Sequence, residues 1–218
     1  MSVFDIIGPI MIGPSSSHTA GAARLGRMAK IIAGESIKSV TINLYGSFAK
    51  TYKGHGTDIA IVAGLLGLTE ENNDLKDSFE IAKEAGLNFK ICEMAKGASH
   101  PNTASFDIIT ESKNIFIEGC SIGGGNIVIT RIDDFALNLT GKFNTLIIPH
   151  RDMYGTITKV TQRLAEDKVN IANMSVVRKE KGVSALMVVE TDQKVSNTCI
   201  KKIETINEVN SVSFIPPL

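Results

Sequence analysis

The sequence predicts an α/β (α+β) chain of two units in series. A mixed α/β domain covers residues 1–143, and a βαββαβ unit with the ferredoxin-like split order covers residues 144–218. Three observations carry the prediction. Strand-type alternation and helix-type periodicity trade places through the first portion of the chain. The last portion repeats strand and helix signals in a regular rhythm with short polar turns. The 218 residues, 43% hydrophobic and 21% charged, hold enough apolar material for two cores.

The chain begins with a short apolar segment, Val3 to Met11, broken by Gly8-Pro9 and followed by Gly13-Pro14. The stretch Gly13-Pro14-Ser15-Ser16-Ser17-His18-Thr19-Ala20-Gly21 then leads into a helix from Ala22 to Ile32, with Leu25, Met28, Ala29 and Ile32 at helical spacing. Ser39 to Tyr45 alternates as a strand. Gly46 to Asp58 reads as a loop in which two glycines free the backbone on each side of His55. Thr57 or Asp58 there caps an apolar helix from Ile59 to Leu68. Asp77 to Ala85 is a helix ended by Gly86. Phe89–Met94, Ser105–Thr110, Asn114–Glu118 and Asn126–Ile132 are strands, the last two forming a hairpin. Gly123-Gly124-Gly125 suits that hairpin or a tight contact, and it lacks both a P-loop lysine and the dinucleotide-binding spacing.

In the second unit, Thr145 to Pro149 is a strand, and Gly155 to Asp167 is a helix that turns Ile157, Val160 and Leu164 inward. Ile171–Arg178 and Val183–Thr191 are strands joined by the polar turn Lys179-Glu180-Lys181-Gly182. Ser196 to Asn207 is a helix carrying Ile200, Ile203 and Ile206, and Val209 to Ile215 is a last strand.

Composition excludes several classes. Lys and Arg balance Asp and Glu, 23 against 23, and neither portion is strongly charged, so no broad basic face for nucleic acid is built. No apolar run reaches the roughly 18–20 residues that span a bilayer. Asp5 and Gly8-Pro9 interrupt any signal-like core at the N-terminus. Cys92, Cys120 and Cys199 lie far apart with no CxxC pair. That pattern points to a reducing, cytoplasmic setting and away from an iron–sulfur or zinc site built by this chain alone.

The residues that carry chemistry gather in three places. Three serines, a threonine and a histidine stand just ahead of a helix, where free N–H groups and the dipole favour a carboxylate or phosphate. His18 adds a group that moves a proton near neutral pH. Gly54-His55-Gly56-Thr57-Asp58 and Ser99-His100-Pro101-Asn102-Thr103 place two more histidines in polar segments rich in turn-forming residues. Each segment also has a plain structural explanation as a cap or a turn.

The strings GPSSSHTAGAARLG, GSFAKTYKGHGTD, HPNT and SIGGG occur in that order, and together they resemble the β chain of the iron–sulfur L-serine dehydratases. Residues 144–218 resemble an ACT domain, so the whole chain is similar to the two-subunit, ACT-bearing form of that family. The resemblance implies a lyase, an L-serine ammonia-lyase of serine catabolism. It would form pyruvate and ammonia at a [4Fe-4S] cluster held by a separate α subunit, where the metal helps the serine hydroxyl to leave. It makes His18 and His55 candidates for proton transfer. Ser15, Ser16, Ser17, Thr19 and Arg24 become candidates for holding the substrate carboxylate, and His100, Asn102 and Thr103 for lining the same cleft. In the ACT-like unit it makes His150, Asp152, Gly155 and Asn173 candidates for a regulatory amino-acid ligand, with Tyr154 standing where the family usually has proline. Without the resemblance, Asp152 reads as a helix N-cap. Homo-association through residues 145–218 is a further expectation. The first domain also resembles the allosteric substrate-binding domain of some phosphoglycerate dehydrogenases, which leaves open a sensing protein without chemistry. A hydrolase using Ser15, Ser16 or Ser17 as nucleophile lacks the GxSxG elbow.

Overall fold

The computed structural model of the chain describes residues 10–95 and 97–218, so the predicted apolar segment lies outside it from Val3 to Pro9. The described chain divides into two compact units. One runs through Asp133 and takes in Leu137–Thr140; the other holds Asp134–Ala136 and Gly141–Leu218.

In the first unit a π-helical turn, Ser16–Ala20, runs directly into α1, Gly21–Ala33. Then follow β1 (Ser39–Tyr45), α2 (Gly46–His55), α3 (Thr57–Leu66), a 3-10 turn (Asn73–Asp77), α4 (Ser78–Glu84) and β2 (Asn88–Met94). β3 (Thr103–Ile109), β4 (Asn114–Gly123), β5 (Asn126–Ile132) and β6 (Phe135–Leu139) complete a six-stranded sheet of order β2-β1-β3-β4-β5-β6. β1 and β2 pair in parallel, as their long helical crossover requires. The pairs β1–β3, β3–β4 and β4–β5 are antiparallel.

β1 alternates strictly: Val40, Ile42 and Leu44 are buried, and the residues between them are half-buried. α1 packs on β3, β4 and β5, while α2 packs on β1 and β2. α1 and α3 approach so closely that a Cβ on Gly26 would lie 2.2 Å from the Ile61 carbonyl oxygen. A Cβ on Gly64 would lie 2.0 Å from that of Ala23. The two glycines therefore set the spacing of the helix pair. α3 is apolar nearly all round because it sits within this helical layer.

The second unit contains β7 (Asn144–His150), α5 (Thr156–Glu166), β8 (Ile171–Glu180), β9 (Ser184–Thr191), α6 (Asn197–Glu204) and β10 (Ser213–Ile215). Its sheet order is β10-β7-β9-β8 with every pair antiparallel, which is the ferredoxin-like order. The core joins Leu146, Ile148, Val160, Leu164, Met187, Val189, Cys199 and Ile203. β8 is an edge strand that is exposed along much of its length.

Several expectations need correction. Residues 46–58 are not a loop: α2 fills 46–55, and α3 begins at Thr57, two residues earlier than expected, and stops at Leu66. β4 extends to Gly123, β6 was not anticipated, and the helix expected at 77–85 is preceded by the 3-10 turn. Ile157 does not turn inward but is 48% exposed, at the margin of the face that buries Val160 and Leu164. The last strand is reduced to Ser213–Ile215, and Val209 only bridges to His150. Among the described residues no helix is long and apolar enough to cross a membrane.

Because Gly64 faces backbone, G64A should destabilise the chain by about 1–3 kcal/mol through overpacking. G54A meets nothing within 4 Å inside α2 and should stabilise by up to about 1 kcal/mol. Urea unfolding of both variants against the parent checks the contrast.

Candidate active site

The Ser/His stretch folds into a tight corner. Ser15 is extended (φ −143°, ψ 123°), and its Oγ accepts the His18 backbone N–H at 3.1 Å. The Thr19 N–H donates to the Ser15 carbonyl at 2.9 Å and the Ala20 N–H to the same oxygen at 3.3 Å. That widened first turn is the π-helical stretch, a geometry often found at functional sites. The hydroxyls of Ser16 and Ser17 make no hydrogen bond among the described residues, and both side chains are half-buried.

The second wall is α2. Its start is seated on the 99–103 turn: the Pro101 carbonyl accepts the Ser47 N–H at 2.7 Å and the Phe48 N–H at 3.3 Å. Gly46 at the junction has φ +55°, and a Cβ there would meet the Pro101 oxygen at 2.6 Å, so the seat requires glycine. From this start, Ser47, Thr51 and His55 fall at i, i+4 and i+8 on one face. Ser47 Oγ lies 3.0 Å from His18 Nε2, and the His55 ring lies 4.9 Å from the His18 ring at 31°. Phe48 meets the His18 ring edge-on at 5.3 Å. The Thr19 hydroxyl donates to the His55 carbonyl at 3.2 Å, tying the corner to the end of α2.

Burial, and secondarily the neighbouring His55, holds the His18 pKa below its ordinary 6.5. His18 is therefore a neutral imidazole at pH 7. Its Nε2 faces the Ser47 hydroxyl, and its Nδ1 lies 3.5 Å from the Ser15 hydroxyl. Hydroxyls both donate and accept, so either tautomer is accommodated and one ring nitrogen always keeps a lone pair. Asp58, at the start of α3, accepts the Ile59 N–H at 2.9 Å, and burial pushes its carboxyl pKa up.

The other sequence candidates of this unit are engaged elsewhere. Arg24 donates through Nε to Glu70 at 2.6 Å and through Nη1 to the Gly125 carbonyl at 3.0 Å, so its guanidinium is committed within the protein. His100 Nδ1 accepts the Asn102 N–H at 3.1 Å, and the Thr103 hydroxyl donates to the His100 carbonyl at 2.7 Å. The Asn102 carbonyl accepts the Ser121 N–H at 2.9 Å, and its side-chain amide lies 3.5 Å from the Ser121 carbonyl. These three residues build the turn that seats α2 and join the site through the Pro101 carbonyl. Gly123, Gly124 and Gly125 all have positive φ and close the β4–β5 hairpin. Among the described residues, no three His, Cys, Asp or Glu stand close enough together to hold a metal ion.

Residues 2–94 match the family model described as serine dehydratase beta chain. Over 98% of its length the chain is 42% identical to the probable L-serine dehydratase, beta chain, of Bacillus subtilis strain 168, covering 97% of that protein. The chain belongs to the serine dehydratase β-chain family. The L-serine dehydratase, beta chain, of Peptoniphilus asaccharolyticus is 33% identical over the same shares, 98% and 97%. The D-3-phosphoglycerate dehydrogenase of Bacillus subtilis strain 168 is 23% identical over 89% of this chain, which spans 37% of that longer protein.

In the second unit of this serine dehydratase β chain, the four candidate ligand residues part company. His150 ends β7 and is buried, with Nδ1 3.0 Å from the Ile148 carbonyl oxygen. Asn173 lies on β8 and donates to Glu190 at 2.9 Å. Asp152 and Gly155 do share a cavity of about 620 Å3, together with Tyr154, Arg178, Lys181 and Gly182. Asp152 is not the N-cap of α5. Gly155 holds that position with φ +81°, and Asp152 accepts the Gly182 N–H at 2.9 Å and pairs with Arg178 at 3.4 Å. The loop before α5 is thus fastened to the β8–β9 turn.

Sequence reasoning missed Ser47, Glu70 and Ser121. Reading 46–55 as a helix would have found Ser47, because it shares a face with His55.

The depressed His18 pKa has a consequence for stability. The unfolded chain takes up the proton first as pH falls, so this group's contribution is whole above 6.5 and is lost as pH drops through the lower folded value. Urea unfolding at about pH 7.5 and about pH 5.5 should show a loss of stability in the parent that is smaller in H18Q.

Proposed function

We propose that this chain is the β half of an L-serine dehydratase whose active site is completed by an α subunit. The single observation that carries the reading is the His18–His55 ring pair, with Ser47 at hydrogen-bond distance from His18 and both Ser16 and Ser17 in the same tight turn as His18. That arrangement suits a small amino acid. The Ser16 and Ser17 groups bind its carboxylate, and an imidazole of the pair accepts the α-proton. Loss of that proton and of the β-hydroxyl gives 2-aminoacrylate, whose imine tautomer hydrolyses to pyruvate and ammonia. Without Arg24, whose guanidinium is occupied by Glu70, carboxylate recognition falls to hydroxyls and backbone N–H groups.

This chain's own residues do not fit a [4Fe-4S] cluster. Cys120 and Cys199 are buried, and burial raises their thiol pKa values; Cys92 stands on β2 without a second cysteine beside it. On our reading the α subunit holds the cluster. Self-association through the second unit belongs to the same proposal and draws support from the exposed edge strand β8. A sedimentation run that finds only monomer at high concentration removes it.

One observation favours a regulatory role in addition. The cavity beside Asp152 brings a carboxylate, Arg178 and Lys181 around a space with ample room for an amino acid. In a protein that only senses, that cavity is the whole function.

Anaerobic pyruvate release from L-serine, measured for this chain alone and paired with its α subunit after cluster reconstitution, decides between the two. Activity is expected in the pair only. H18A and H55A should each lower kcat roughly 100-fold or more, and S16A/S17A should act mainly on KM. A pair with an intact cluster and no activity overturns the enzyme reading in favour of the sensor. Full kcat in both histidine variants removes the pair from the chemistry.

A further inference from the structure

We infer that Glu70 is a positioning residue of the candidate active site, clasping both ends of the Ser/His corner and so setting the affinity for the substrate carboxylate. The effect on substrate rests on the dehydratase reading above; the clasp itself does not. Glu70 lies just past α3 and is 6% exposed. Its backbone carbonyl accepts the Ile12 N–H at 2.8 Å. Its Oε1 receives Arg24 Nε at 2.6 Å and Arg24 Nη2 at 2.5 Å, while Arg27 Nη1 stands 3.9 Å from Oε2. Arg24 Nη1 continues to the Gly125 carbonyl in the β4–β5 turn.

The segment from Ile12 to Arg24 contains Ser15, Ser16, Ser17, His18 and Thr19, and it begins and ends on one residue. Pinning both ends of a short segment removes most of its conformational freedom. The donors of Ser16 and Ser17 then need no ordering when a carboxylate arrives, and pre-organisation of this kind acts on binding rather than on the chemical step. The carboxylate is also essential to its own neighbourhood. Without its charge, two largely buried guanidinium groups lose their counter-ion, and Arg24 is released from the orientation that holds Gly125. A buried ion pair serving stability alone would behave otherwise, weakening the unit as a whole and leaving substrate affinity as it was.

E70Q keeps the backbone acceptor and removes the charge. Amide hydrogen exchange on the intact β chain should show faster exchange confined to residues 12–24 and the β4–β5 turn at Gly125. In the assembled enzyme the KM for L-serine should rise about tenfold, with kcat changed by less than about threefold. Unchanged exchange at 12–24, or faster exchange spread evenly over the first unit, overturns the clasp. A fall in kcat at constant KM overturns the positioning role. R24K retains the positive charge but loses the fork to Glu70 and Gly125, and it carries the same test on the same readouts should E70Q not fold. If the parent pair releases no pyruvate, the dehydratase reading fails, and the exchange measurement alone then decides the clasp.

Discussion

The carbonyl of Pro101 receives the first N–H groups of α2, and this one seat fixes the position of nearly everything at the site. A helix leaves its first donors unpaired, so a carbonyl aimed at them dictates where the helix starts. Once the start is set at Gly46, the 3.6-residue period places Ser47, Thr51 and His55 on the face turned to the corner. Side chains lean toward the N-terminus of their helix, and so His55 and Ser47 both reach the His18 ring although eight residues separate them. The HPNT turn contributes through its backbone. Its side chains are spent on holding its own shape and on β4.

The elements that pattern alone can specify were legible. β1 was read to the residue because Val40, Ile42 and Leu44 alternate with polar neighbours over one buried face. The second unit was legible because its helices each bury one stripe and its central strands, buried on both faces, read as short apolar runs between polar turns. α2 was illegible: it holds one buried residue, Phe48, and carries glycine at both ends. Its helical state comes from Pro101 and from packing against β1 and β2, which no local propensity records. Ile157 was misjudged because helical spacing names a stripe without fixing its width, and Ile157 sits at the margin.

The site's candidate residues divide the same way. The Ser/His corner was legible because serine, threonine and histidine ahead of a helix are local chemistry. That His18 and His55 stand together was not, since 37 residues separate them and only the seating of α2 unites them. The family resemblance assigns Arg24 to the substrate carboxylate. The structure supplies a carboxylate from within, in Glu70. A partner for an arginine set by tertiary folding leaves no mark in spacing.

The corner lies near the start of the chain, while the groups that fasten it come later; Arg24 and Gly125 are 101 residues apart. Ser121, which pairs with Asn102 beneath the seat of α2, is equally late. During synthesis at about 5–20 residues per second, the Ser/His segment leaves the ribosome roughly 5–20 s before its last anchor exists. The hairpin of β4 and β5 and the neighbouring β3 are built from consecutive strands and close by local pairing. The Ser/His corner is thus made before its anchors and completed only with them, and its geometry reports that the β4–β5 hairpin has formed.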